Sequence, residues 1–194
     1  PPPEPVPPAY DRLKDLHAEI ALVADGRPAC SIVAPRDHAD AAEAIRSAIQ
    51  QHAGVAVPIV SDRSQTAATP LAGNLIVLGN RSTSRTSSEL YDRHFSLMDL
   101  KYPGRGGYAV RTLHDPYGNG FGAVLVGGSD VAGVAAGARA LAEHLATLPS
   151  TPGSLSVGWT QLTRLGNGLS VPTDIRDFET WEASKGYGSV GYFG

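Results

Sequence analysis

The chain has 194 residues, 42% of them apolar, and a formal net charge of -3 from 16 Lys and Arg against 19 Asp and Glu. That apolar content excludes general disorder, and the length suits one domain with tails. The slight negative balance argues against nucleic acid or an anionic membrane as partner, and no apolar run approaches the ~20 residues of a membrane span.

Pro1 to Pro8 is proline-rich and almost free of apolar side chains, so residues 1–10 read as a stiff, extended linker. The chain carries no signal-peptide pattern, and its start at a proline leaves room for an upstream segment already removed. Residues 11–150 read as an α/β domain. Ala18 to Val23 is followed by Asp25-Gly26, the strongest short hairpin signal, and then by the apolar run Cys30 to Ala34. The single cysteine, Cys30, excludes an internal disulfide and a cysteine-rich zinc site, and its strand-like surroundings predict a small buried residue.

A helix is predicted over Ala39 to His52, with Asp37 as N-cap, Ala42, Ile45, Ala48 and Ile49 on one face, and Gly54 at its end. Val55 to Val60 is the next strand, placed at an edge or bulge by Pro58. Leu75 to Leu78 is a short apolar strand, and Arg81 to Asp92 a weak helix rich in Ser and Thr. His94 to Gly107 reads as an irregular surface loop.

The centre of the domain is Tyr108 to Leu148. Tyr108 to Leu113 alternates like a half-buried strand, and His114 to Gly120 has turn chemistry. Ala123 to Val126 is continuously apolar, as in a strand covered on both faces. Gly127-Gly128 breaks it, Ser129 or Asp130 caps a helix, and Val134, Ala138, Leu141, Ala142 and Leu145 share one helical face. The fold class is therefore α/β, with α+β as the alternative: a mixed sheet of about five to seven strands carrying two main helices.

Residues 151–194 read as an irregular extension rich in glycine and aromatic residues, with Leu155 to Trp159 as one more strand. An aromatic tail such as Tyr187 to Phe193 either packs against a partner or leads into further chain.

Chemistry-bearing motifs are sparse. Gly127-Gly128-Ser129-Asp130 sits where a phosphate cradle would, but it is neither a dinucleotide fingerprint nor a Walker loop, and Asp130 would repel the phosphate. A tight turn with an Asp cap is the plainer reading, with Gly133 and Gly137 letting the helix lie close on the sheet. Asp37, Asp62, Asp99, Asp115 and Asp130 form no marked pair of the kind glycoside hydrolysis needs. The six histidines lack metal-ligand spacing, and no serine lies in a nucleophile elbow. No catalytic, cofactor-binding or metal-binding residue is predicted. Candidate contacts to glycan or a partner are His94, Tyr102 and Arg105 in the loop, and Trp159, Trp181 and Tyr187 among the later aromatics.

The succession Ile32-Val-Ala-Pro, an alanine-rich helix, Gly54-Val-Ala-Val-Pro-Ile-Val, Asn74-Leu-Ile-Val-Leu-Gly, Gly107-Tyr-Ala-Val-Arg and Val124-Leu-Val-Gly-Gly-Ser-Asp carries a resemblance. It resembles the non-catalytic α/β domain that precedes the catalytic domain in α-glucuronidases, family 20 β-hexosaminidases and related secreted glycan-degrading enzymes. The likeness spans about residues 18–148 and implies a sheet flanked by two helices, with no chemistry of its own. Three functions follow as expectations. The first is a non-catalytic accessory domain of a larger extracellular or periplasmic polysaccharide-processing enzyme, a glycoside hydrolase or polysaccharide lyase. Its partner would be a catalytic domain or neighbouring chain, with polysaccharide as a further contact. The second is a self-assembling structural subunit using the proline-rich head and aromatic tail. The third is a small-ligand or nucleotide-binding α/β protein.

Overall fold

The structure, a computed structural model, describes residues 19–62, 73–149 and 151–167. Among these the chain forms a six-stranded mixed sheet, a three-stranded sheet and three α-helices, an α/β fold. In the larger sheet β3 (Cys30–Ala34), β4 (Ile59–Ser61), β5 (Asn74–Leu78) and β7 (Ala123–Gly128) are parallel. Strand β6 (Tyr108–Leu113) runs antiparallel to β7, and β9 (Gln161–Arg164) antiparallel to β6. The spatial order is β4-β3-β5-β7-β6-β9.

The central strands are apolar at nearly every position, Ser31 and Asn74 excepted, because both faces are covered. Ile32, Ile76, Leu78, Val124 and Val126 enter one core with Ala42, Ile45 and Ile49 of α1 (Ala39–Ala53) and Val134, Ala138, Leu141 and Leu145 of α3 (Val131–Thr147). The alternate residues Val33, Leu75, Val77, Ala123 and Leu125 enter a second core with Leu90 of α2 (Arg85–Asp92) and Met98. Helix α1 ends at Gly54, whose φ of 76° is the left-handed stop expected there. Its N-cap is His38, not Asp37, because a single 3-10 turn, Arg36–His38, intervenes between β3 and the helix.

The Asp25-Gly26 hairpin forms between β1 (Ile20–Ala24) and β2 (Arg27–Pro28), with positive φ at both turn residues. The run Cys30 to Ala34 is not its second arm. The hairpin ladder ends with Ala29 N–H donating to the Leu22 carbonyl at 3.0 Å, and β3 then crosses into the larger sheet between β4 and β5. On its other edge β1 pairs with β8 (Leu155–Val157), closing a small sheet over the N-terminal ends of the parallel strands.

Two segments are more ordered than the sequence predicts. The stretch His94 to Gly107 lines the second core, with Phe95, Met98 and Tyr102 packed inward. Residues 151–167, read as the start of an irregular extension, contribute one strand to each sheet and anchor Gly166 and Asn167 on the backbone of Pro103 and Arg105. Strand β9 escapes a pattern reading because it is a polar edge strand whose side chains mostly face solvent. Residues 1–10 of the linker and 168–194 of the tail lie outside the described residues.

Candidate functional site

The parallel strands β4, β3, β5 and β7 all end at one edge of the sheet. Strand β3 returns through α1 to β4 on one side, whereas β5 leads through α2 toward β6 and β7 on the other. The β3–β5 boundary is thus the switch point, outside which open α/β sheets place their ligands. The side chains gathered along this edge decide what it can do.

Asp62, just past β4, is buried. Its carboxylate accepts hydrogen bonds from the Arg85 and Thr86 backbone N–H groups at 2.6 and 3.0 Å. It also accepts from the Thr86 and Ser84 hydroxyls at 2.8 and 3.2 Å. Ser84 in turn caps α2 by accepting from the Ser87 N–H at 3.1 Å. Asn80, past β5, donates through its amide to the Gly128 carbonyl at 2.8 Å and accepts from the Ser82 and Thr83 N–H groups. Past β7, the Ser129 hydroxyl accepts from Gly104 N–H at 2.9 Å. Asp130 caps α3 by accepting from Gly133 N–H at 2.7 Å, and one of its oxygens accepts from Gly106 N–H at 3.1 Å.

The glycine corner is therefore a tight turn with an Asp cap. The positive ends of α2 and α3 are both occupied by carboxylates of the chain itself. The glycines serve packing: a Cβ at Gly133 would overlap the Gly107 carbonyl oxygen, and one at Gly128 would approach Val134 N to 2.6 Å. Beside this network, at the β3–β5 boundary, His38 is buried with no hydrogen-bond partner for either ring nitrogen among the described residues. Burial lowers its pKa below the ordinary histidine value, against an opposing pull from Asp37.

The predicted contact residues do not form one constellation. His94 is exposed at a positive φ of 63° where α2 ends, Tyr102 packs inward on the second core, and Arg105 is exposed, its backbone paired with Asn167. Trp159 is 65% exposed between β8 and β9. Its neighbour Thr160 is buried and anchored, accepting at its carbonyl from Thr112 N–H and donating its own N–H to the Thr112 hydroxyl. On the other side Gly158 lines an open cavity of about 340 Å³, with Glu19, Thr151, Ser154, Leu155 and Ser156. Trp181 and Tyr187 lie outside the described residues.

Two further groups are buried in the cores. The Cys30 thiol is pushed up to about 12 by burial. The Tyr117 hydroxyl is also raised to about 12, first by burial and then by Glu89. Among the described residues, no three or more His, Cys, Asp or Glu side chains gather to hold a metal, and no helix is long and apolar enough to cross a membrane.

The sequence pointed to Asp62 only as one loop carboxylate among several and gave no sign of Asn80 or of His38's burial. The partners of Asp62, the Gly128 carbonyl that Asn80 reaches and the Gly79 that covers His38 all lie tens of residues away, so no local spacing marks them. No known family model matches the chain, and no curated protein matches its sequence.

Proposed function

We propose that this chain is a non-catalytic accessory domain of a larger extracellular or periplasmic polysaccharide-processing enzyme. It positions a catalytic domain and touches glycan beside Trp159. The observation that carries the reading is the filled edge of the sheet. Asp62, Asn80, Ser129 and Asp130 direct their polar atoms to the chain's own backbone and hydroxyls, where a ligand-binding α/β protein would turn them to a small molecule. Such an edge ties the loops into a rigid scaffold. The order of elements from β1 to α3 also accords with the resemblance to the domain in front of α-glucuronidase and β-hexosaminidase catalytic domains.

Glycan contact is assigned to the surface around Trp159. An exposed indole offers an apolar face to the C–H side of a sugar ring. The hydroxyls of Thr151, Ser154 and Ser156 and the Glu19 carboxylate supply hydrogen-bonding groups in the cavity beside Gly158.

The test combines light scattering over a concentration range with assays of the 194-residue chain against neutral and acidic polysaccharides. A monomer that releases no sugar ends and forms no unsaturated products, yet is retarded in gels containing polysaccharide, is the expected result. Turnover by the chain alone, or the absence of retardation by every polysaccharide, overturns the accessory reading. Growth of mass with concentration would replace it with self-assembly.

A further inference from the structure

His38 is the last residue of the 3-10 turn after β3 and the N-cap residue of α1. It is only 2% exposed, and its side chain makes no capping hydrogen bond. Its Cδ2 lies close to Gly79 at the end of β5, where an added Cβ would meet it at 3.5 Å. The turn also packs against α3. Burying an imidazole whose two nitrogens find no partner among the described residues is unfavourable. The fold carries that cost at the switch point of its sheet.

The charges around this ring give a proton no good partner. The turn itself supplies Arg36 and Asp37, both exposed, and α1 supplies exposed Asp40. From α3 come the Asp130 cap, already accepting from Gly106 and Gly133 N–H, and exposed Arg139. Past β5 lie neutral Asn80, Thr83 and Ser84, with the Asp62 carboxylate beyond Ser84 already accepting four hydrogen bonds. An imidazolium would sit at the positive end of a 15-residue helix, where a cation is disfavoured. Only solvent-screened Asp37 attracts it among the groups that bear on its titration.

We propose that His38 is an acid-release latch. As a neutral ring it seats the 3-10 turn against Gly79 and α3, and on taking up a proton it leaves that seat and opens the sheet edge at the β3–β5 boundary. The sign follows from linkage. A histidine whose folded pKa is lowered contributes stability above its unfolded value of about 6.5, and that contribution is lost as pH falls below it. One proton taken up raises the local opening constant by at most about tenfold per pH unit in that window.

Hydrogen exchange of the full 194-residue chain at pH 7.5 and 5.5, corrected for intrinsic exchange, tests this. Peptides over 35–41 and 79–84 are expected to lose protection at pH 5.5 by several-fold more than the strands of the sheet. His38→Leu is expected to abolish that difference. Equal protection at both pH values, a loosening spread uniformly over the domain, or an unchanged pH effect in His38→Leu overturns the latch. Should the variant fail to fold, the His38 ring resonance of the native chain still decides. Titration below 6.5 supports the proposal, and titration at or above 6.5 overturns it.

Discussion

At Asp62 one carboxylate accepts four hydrogen bonds from the first turn of α2, although 22 to 24 residues of chain separate them. Replacing it with alanine removes an N-terminal cap and leaves buried donors unpaired. The expected loss is ~2–3 kcal/mol, read as a lower urea midpoint with an unchanged slope. Cys30 behaves in the opposite sense, as an inert filler. With its thiol pushed up to about 12 by burial, it should resist a disulfide reagent at pH 8 in the native chain and react fully once denaturant unfolds it. Rapid labelling of the native chain would refute that. Trp159→Ala removes an exposed side chain, so stability should move by under about 0.5 kcal/mol. If the proposed glycan surface is right, retardation by polysaccharide should disappear with it.

Among the elements, α3 depends most on small residues. Gly133 and Gly137 let its first turns approach Gly107 and Tyr108 closely, and Gly133→Ala should force the helix off the sheet at ~1–3 kcal/mol. A thermal melt measures that loss. Strand β9 is polar yet covers the edge of β6 along four residue pairs. A chain ending at residue 158 should therefore aggregate through the uncovered β6 edge, visible as scattering that grows with concentration. The ease of reading these elements from sequence follows their physics. Helix α1 and helix α3 show their buried stripe at Ile45, Ile49, Leu141 and Leu145, and Asp25-Gly26 announces its own turn, because those signals are local. Strand β9 shows nothing, since its position is set by the neighbour it covers. The same reason hides His38, whose burial comes from Gly79 and α3.

At the scale of the molecule, two cores on opposite faces of one sheet are joined through the alternating side chains of β3, β5 and β7. The edge network around Asn80 and Asp130 then ties the loops of both faces together. Such rigidity is what the proposed accessory role requires of a body. The small sheet adds a condition on how such a body is made. Ile20, near the first described residue, finds its partner in Val157, close to the last. As the chain leaves the ribosome, β1 must wait with that edge open until almost the whole domain has been synthesised. Parallel strands of distant sequence impose the same delay on the main sheet. The nascent chain thus exposes that strand edge for most of its synthesis and should generate folding force on a stalled ribosome only after β8 has cleared the exit tunnel.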